Sequence, residues 1–205
     1  MSRLLEAADL CWSPRRFRSK PIMACFPEAT RGQLHWCALA PRLPVLSMRD
    51  HLLETLLLAR RQKVFDHDRL AAALIDRARG LIWLDQLTFG FVHNDLGAGN
   101  ILLAGDRIAV VDFAGACVSN PFVDPGGLLA ELGLVALDHV VYWSQDRGKH
   151  ADEHRIRKAL EFFCLKRSLR HLVHLSRLGR QENPDHRPVG LPIAIITALF
   201  PPPGS

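Results

Sequence analysis

Two short segments near the middle of the chain carry the side chains best suited to chemistry. Residues 93–100 read HNDLGAGN and residues 110–116 read VVDFAGA. Carboxylate and amide oxygens are the hard ligands that magnesium prefers, with phosphate and water completing its shell. Asn100 and Asp112 could therefore hold the ion, and Asp95 could accept or orient the proton of an attacking hydroxyl group.

A β-hairpin is the element that must bring these side chains together. Aliphatic runs at 101–103 and 108–111 are separated by a turn-forming stretch that contains glycine and aspartate. A turn midway between the runs makes cross-strand partners whose numbers sum to about 211 or 212. Asn100 and Asp112 then face each other with Cβ atoms roughly 5 Å apart, and Asp95 lies on the loop just before the first strand.

Helices are predicted on both sides of the hairpin from apolar residues that recur every three to five positions. Ser47 is placed to cap the first of them. The stretch from Pro121 to Gly127 is predicted to be a loop because it is rich in proline and glycine. A short strand is predicted over 34–39, and the helices are expected over 49–62, 68–87, 128–142 and 152–178. In the last of these helices the predicted inner face consists of Ile156, Leu160, Phe163, Leu169, Leu172 and Val173.

Bulk composition indicates an ordinary globular protein. Of the 205 residues, 48% are hydrophobic and 23% are charged, which separates the chain from disordered proteins. The five cysteines form no C-x-x-C pair, which argues against a disulfide framework or a zinc knuckle and suits a reducing compartment. The apolar stretch 191–200 is too short to span a bilayer. We expect a cytoplasmic protein without a transmembrane segment.

The basic surplus lies between residues 150 and 180, where eight basic and three acidic residues give a difference of +5, equal to the net charge of the whole chain. Most of this stretch is the predicted helix over 152–178. Such a surface favours anionic partners, including an acidic membrane surface, although an exposed helix face is the simpler interpretation. Nucleic acid is an unlikely partner because only Phe162 and Phe163 interleave with the basic residues. Residues 150–154 (HADEH) match the zinc-protease pattern H-x-x-E-H, but flanking basic residues favour an exposed helix start.

The catalytic segments resemble those of a known family. His93, Asp95 and Asn100 form the pattern H-x-D-x-x-x-x-N, and a D-F pair follows 17 residues after Asp95. This is similar to the catalytic and metal-binding loops of protein-kinase-like enzymes. Gly99 before Asn100, and residues 121–130 (PFVDPGGLLA), look most like the aminoglycoside and choline phosphotransferase branch. The D-F pair continues as Ala-Gly-Ala, which departs from the D-F-G ending of protein kinases.

The resemblance implies a role for each matched residue. Asp95 would be the catalytic base, and Asn100 and Asp112 would hold Mg²⁺ and, with it, ATP. His93 would support the loop, and Asp124, in the position of the branch's second acid, would brace it. The implied fold class is α+β, a mostly helical kinase-like C-lobe with a short β-hairpin that carries the metal site.

The resemblance also suggests a domain organisation. The kinase-like C-lobe would occupy 34–180, preceded by an irregular basic arm or N-lobe remnant over 1–33 and followed by a proline-rich extended tail over 181–205. We recognise neither a glycine-rich phosphate loop nor a strand lysine in the sequence. The N-lobe is therefore expected to be reduced or absent, or a partner chain would complete the nucleotide site.

Three functions follow from this comparison. The first is ATP-dependent transfer of a phosphoryl group to a hydroxyl of a small molecule, a sugar or a lipid-linked sugar. The second is a catalytically weak kinase-like scaffold or binding protein, and the third is a lipopolysaccharide sugar kinase. A polycationic aminoglycoside fits poorly beside the basic helix, so a neutral or anionic acceptor is expected.

Overall fold

The computed structural model describes residues 43–87, 89–104, 107–145, 151–177 and 190–201. The arm predicted over 1–33 and the strand predicted over 34–39 lie outside this part of the chain. The described residues are mostly helical, with two small antiparallel ribbons. This agrees with the expected α+β class.

The described elements are six α-helices, four strands and four 3-10 turns. The α-helices are α1 Met48–Arg61, α2 His67–Arg79, α3 Val123–Leu132, α4 Leu137–Ser144, α5 Glu153–Arg177 and α6 Gly190–Leu199. The strands are β1 Gly90–Val92, β2 Ile101–Ala104, β3 Arg107–Val110 and β4 Cys117–Ser119, and 3-10 turns occur at Ile82–Gln86, Ala98–Asn100, Phe113–Gly115 and Leu134–Ala136.

Helix α1 begins at the predicted cap. The backbone N–H of Ser47 donates to Asp50 Oδ2 at 2.8 Å, and the N–H of Asp50 donates to Ser47 Oγ at 3.3 Å. This reciprocal capping box satisfies two of the N–H groups that a helix start leaves open. Arg60 and Arg61 in the last turn complement the negative end of the helix dipole. The prediction of Ser47 as N-cap is confirmed.

Glycine residues change the predicted boundaries of two helices. The helix predicted over 68–87 ends at Arg79, because Gly80 and a 3-10 turn follow. The helix predicted over 128–142 is two helices, interrupted at Gly133, whose φ of +82° is easily adopted only by glycine.

The loop predicted at 121–127 is wrong in part, since α3 begins at Val123. Pro125 is tolerated there because a first-turn amide needs no partner within the helix.

The predicted extended tail is wrong for its central part. Residues 190–199 form α6, and Ile195 and Ile196 are buried in the core. Pro192 lies in the first turn of this helix, where it does not break the hydrogen-bond ladder. The physical reason for the helix is the apolar run over 191–200, which lowers its free energy by packing against α5.

Helix α5 is the centre of the hydrophobic core. Its buried apolar side chains include every member of the predicted inner face, namely Ile156, Leu160, Phe163, Leu169, Leu172 and Val173. Helix α3 crosses α5 closely at Gly126, where an added Cβ would lie 2.4 Å from Phe163 Cβ. Within the described ranges, no helix is both long and apolar enough to cross a membrane.

Two ribbons lie beside the helices. Strands β2 and β3 form the predicted hairpin, and β1 pairs with β4, which the sequence pattern did not indicate. Pro44 and Leu46 also bond to Val118 of β4, so the start of α1 is attached to this ribbon. Strand β1 leads into residues 93–100, and the β2–β3 hairpin lies between those residues and Asp112.

Candidate active site

The hairpin register differs by one residue from the predicted pairing of Asn100 with Asp112. Ile101 pairs with Val110, and the N–H of Val111 donates to the carbonyl of Asn100 at 3.0 Å. Asn100 therefore opposes Val111, because the turn closes by pairing Ala104 with Arg107. The prediction of a direct pair is wrong, although Asn100 and Asp112 both lie at the open end of the hairpin.

Asn100 is connected directly to the backbone of Asp95. Its side-chain Nδ2 donates to the Asp95 carbonyl at 2.9 Å, and its own N–H donates to the Gly97 carbonyl at 2.9 Å. Because the amide NH₂ is engaged in this way, Oδ1 is the atom that Asn100 can offer to a cation. The loop conformation thus orients the one hard ligand that this side chain has.

His93 links the loop to the strand that precedes Asp112. The ring is 2% exposed; its Nδ1 accepts from the N–H of Asp95 at 3.3 Å, and its Nε2 lies 2.8 Å from the carbonyl of Val111. An acceptor role for Nδ1 places the proton on Nε2, which donates to Val111. The ring of Phe113 packs against it, with centroids 4.7 Å apart. This position suits the support role implied by the family resemblance.

Asp124 holds the same loop from the first turn of α3. Its Oδ2 accepts from the N–H of His93 and its Oδ1 from the N–H of Asn94, both at 2.8 Å. Asn94 has a φ of +60°, so the loop turns sharply immediately before Asp95. A carboxylate in the first turn is also favoured by the helix dipole. Asp124 thus lies where a brace for the loop must lie.

Asp112 joins this arrangement through the backbone of Val111. It is exposed, and its φ of +61° and ψ of +65° place it in the left-handed region. That conformation costs a non-glycine residue roughly 1–2 kcal/mol, and such strain is concentrated at functional sites. The strained backbone directs the chain away from β3 at the mouth of the hairpin.

The oxygen atoms available here fit magnesium better than a transition metal. Among the described residues, no group of three or more His, Cys, Asp or Glu could hold an ion. Mg²⁺ needs no such cage, since one or two protein oxygens together with phosphate and water suffice. Asn100 Oδ1 and the Asp112 carboxylate are the candidate pair of ligands.

Two arginines of α5 contact Asp95, and the sequence interpretation missed them. Arg167 Nη1 and Arg170 Nη1 both reach Asp95 Oδ1, the latter at 3.4 Å. Arg170 Nη1 also donates to the Asn94 carbonyl at 2.9 Å. The signal was available in the spacing, because positions 167 and 170 continue the stripe through Leu160 and Phe163. The predicted exposed basic face is therefore, in this part of α5, the inner wall of the site.

The comparison with protein families agrees with this geometry. The model described as "Phosphotransferase enzyme family" matches residues 23–161, more than half of the chain. The chain belongs to the phosphotransferase enzyme family. No curated protein matches it. The family is part of the protein-kinase-like superfamily, so the expected relationship to aminoglycoside and choline phosphotransferases is confirmed at this level.

This phosphotransferase family member has a second, deeper layer of charge behind Asp95. Lys166, with 4% of its side chain exposed, places Nζ 2.7 Å from Glu54 Oε2 and 2.7 Å from His51 Nδ1. Burial lowers the pKa of Lys166. Burial tends to raise the pKa of Glu54, but attraction to Lys166 and Arg170 outweighs it and leaves the pKa below its usual value.

A small cavity lies beside Asp95 and the cations of α5 in this phosphotransferase family member. Its volume is about 20 Å³, and its lining includes Asn94, Asp95, Lys166, Arg167 and Arg170. That space accommodates about one water molecule. A substrate therefore has to approach Asp95 from outside this cavity.

Proposed function

We propose that this chain transfers the γ-phosphoryl group of ATP to a hydroxyl group, with Asp95 as the base. One observation carries the proposal: a continuous hydrogen-bonded frame runs from Asp124 through His93 and Asn100 to the residue before Asp112. This frame supports a site in which Asp95, as the base, and Asn100 and Asp112, as magnesium ligands, lie together at the open end of the β2–β3 hairpin. Phosphoryl transfer needs this kind of positioning more than covalent help from the protein.

Asp95 would act through its second oxygen. Among the described side chains, both contacts from arginine go to Oδ1, which makes Oδ2 the oxygen that takes up a proton from the acceptor. The acceptor oxygen would then form a bond to the γ-phosphorus as the bond to ADP breaks. Magnesium, when bound, would neutralise phosphate charge, and Asn100 and Asp112 would be the residues that hold it.

The acceptor that this site suits is a neutral or anionic small molecule, a sugar or a lipid-linked sugar. Arg167 and Arg170 are half-buried at the base itself, so a polycationic acceptor would meet like charge as it approached. A neutral sugar is not repelled by these two arginines. Envelope sugars of the kind that lipopolysaccharide kinases modify belong to the same class of acceptor.

The test compares Asp95→Asn and Asp112→Asn with the wild-type protein. We expect Mg-ATP to raise the melting temperature of the wild type and of Asp95→Asn, since saturation at 100 times the Kd adds about 2.7 kcal/mol. Asp112→Asn should lose the magnesium-dependent part of that shift. Asp138→Asn, an exposed change elsewhere, is the matched control.

Activity is then measured as ADP release with a panel of neutral, anionic and cationic sugars. Asp95→Asn should reduce turnover by at least about a hundredfold, the scale of general-base catalysis. Undiminished turnover in Asp95→Asn would remove that residue from the mechanism. Turnover with cationic sugars alone would contradict the proposed acceptor class.

One observation favours a second candidate, a scaffold or binding protein. The contact of Arg167 with Asp95 occupies the proposed base and stabilises its charged form. An ion pair that never opens would leave a weak catalyst. Absence of any thermal shift at millimolar Mg-ATP, together with absence of ADP release, would support this alternative.

A further inference from the structure

Three cations of α5 line the same cavity as Asp95, and they differ in their anionic partners. Lys166 and Arg170 both pair with Glu54, at 2.7 and 2.5 Å. Arg167 contacts Asp95 directly and lies 3.6 Å from Glu131 Oε1. Of these three cations, Arg167 is therefore the one whose shortest ion pair is with Asp95, whereas the shortest ion pairs of Lys166 and Arg170 are with Glu54.

Gly97 is what lets Arg167 approach the loop. A Cβ at position 97 would lie 2.9 Å from Arg167 Nη2 and 3.1 Å from Glu131 Oε1. Any side chain there would therefore push the guanidinium away from the loop. Residues 93–100 themselves contain no lysine or arginine. The guanidinium of α5 occupies the space over Gly97 and brings positive charge to a loop that has none.

Phosphoryl transfer needs such a charge at this place. Negative charge spreads over the three equatorial oxygens of the group in transit, and a guanidinium that touches them can accelerate transfer by 10³ to 10⁵. A planar guanidinium matches phosphate oxygens with two parallel N–H groups. An enclosed site strengthens the attraction because less water screens it.

We propose that Arg167 is the charge-stabilising group of the reaction and exchanges its partner during turnover. It pairs with Asp95 at rest and contacts the transferring phosphoryl group when the acceptor is in place. The exchange frees Asp95 to take the acceptor proton while the acceptor oxygen bonds to the γ-phosphorus and ADP departs. This inference rests on the proposed function, and it assigns the reaction a cation from α5 rather than from the loop.

The protonation state of Arg167 is compatible with this role. Burial, and secondarily repulsion from Arg170, lower its pKa to about 10. The guanidinium is therefore still charged at neutral pH. Arg170 is held by Glu54 and by the Asn94 carbonyl, so it can keep the loop in place while Arg167 moves.

The experiment separates binding of the ground state from binding of the transition state. Arg167→Gln, Arg167→Lys and wild type are titrated with Mg-ATP and with Mg-ADP plus aluminium fluoride, which mimics the phosphoryl group in transit. We expect Arg167→Gln to keep ATP affinity within about threefold while kcat falls about a thousandfold. The gain in affinity from aluminium fluoride should disappear in the same variant.

Two further variants keep the test decisive if Arg167→Gln folds poorly. Gly97→Ala retains the guanidinium but displaces it, and it should lower kcat in the same direction. Arg167→Ala opens space for free guanidinium, which should restore part of kcat. Arg157→Gln, on the same helix and away from Asp95, is the control and should resemble wild type in both titrations.

The outcomes distinguish this inference from the proposed function. If wild type releases ADP with an acceptor and binds the fluoride complex tightly, but Arg167→Gln does both equally well, the role of Arg167 is refuted and the phosphotransferase proposal stands. Equal loss of ATP and analogue affinity in Arg167→Gln would make it a ground-state binding residue and also refute the inference. A wild type that neither binds Mg-ATP nor releases ADP would overturn both.

Discussion

The ammonium group of Lys166 lies 2.7 Å from Glu54 Oε2, so an ion pair joins α5 to α1 directly behind the candidate base. Lys166 also donates to His51 Nδ1 at 2.7 Å, which places the His51 proton on Nε2, 2.8 Å from Ser119 Oγ. The hydroxyl of Ser119 in turn donates to the Leu46 carbonyl at 2.7 Å. This chain of donors connects α5, α1, β4 and the entry to α1.

Glu54→Gln should destabilise the fold because it leaves the buried Lys166 without its anion. Removing one partner of a fully buried pair costs about 3–5 kcal/mol. Glu54 is 37% exposed, so water compensates in part and we expect a loss of about 2–3 kcal/mol in the free energy of unfolding. Urea denaturation followed by circular dichroism measures it.

The matched control for Glu54→Gln is Glu153→Gln. Glu153 pairs with Arg157 at 3.1 Å on an exposed turn of α5, and its removal should cost less than about 1 kcal/mol. Equal losses in the two variants would show that the Lys166 pair contributes no more than a surface contact.

The stability of the protein should fall as the pH decreases from about 6.5 towards 3. Burial, and then repulsion from Lys166, lower the pKa of His51 from 6.5 to about 3. In that range the unfolded chain binds a proton at His51 that the folded chain does not bind, so acid favours unfolding. The slope from this group is at most about 1.4 kcal/mol per pH unit.

Urea titrations between pH 5 and 8 check this dependence. His51→Gln should have a shallower slope below pH 6.5 than wild type, whereas the exposed His154→Gln should match it. Part of the slope should persist, because burial, Arg167 and His174 lower the pKa of His171 as well. Identical slopes in wild type and His51→Gln would exclude His51 as the sensitive group.

The features predicted correctly from sequence are those set by local signals. The Ser47 cap, the inner face of α5 and the hairpin each depend on residues within a few positions of one another. The family motif likewise lies within 93–112. Such signals survive folding because tertiary contacts reinforce them.

The features that sequence patterns missed are set by contacts between distant segments. Strand β4 has three residues and no alternation to recognise, and it exists because β1 pairs with it. Asn100 opposes Val111 and not Asp112 because of the way in which the turn closes. A pattern of aliphatic runs does not reveal a shift of one residue in strand pairing. The contact of Arg167 with Asp95 depends on the crossing of α3 and α5, which composition does not encode.

Gly126→Ala should destabilise the protein although it improves helix propensity. The new Cβ would lie 2.4 Å from Phe163 Cβ and 3.0 Å from the Leu160 carbonyl, so α3 and α5 must move apart. Overpacking of this kind costs about 1–3 kcal/mol. Thermal and urea denaturation measure the loss.

The adjacent Gly127→Ala is the control for Gly126→Ala. Its Cβ would meet the Leu96 carbonyl at 3.6 Å, an ordinary contact. The substitution should therefore be neutral or stabilise α3 by up to about 1 kcal/mol. A stabilising effect of both substitutions would mean that the crossing at Gly126 is looser than the structure indicates.

Asp124→Asn should loosen the candidate catalytic loop while leaving the rest of the fold in place. The carboxylate accepts one N–H on each oxygen, from His93 and from Asn94. An amide offers one acceptor and one donor, so one backbone N–H would face another donor, at a cost of about 1–3 kcal/mol. Asp138→Asn, also in the first turn of a helix but exposed beside Arg157, is the matched control and should cost less than about 1 kcal/mol.

Hydrogen exchange provides the sharper readout for Asp124→Asn. The amides of His93 and Asn94 should exchange faster in the variant, while those in the middle of α5 keep their protection, because opening is confined to the loop. The rate of phosphoryl transfer should also fall, because the backbone that Asp124 holds also positions Asp95. Unchanged exchange at both amides would show that the loop is held by His93 and Arg170 alone.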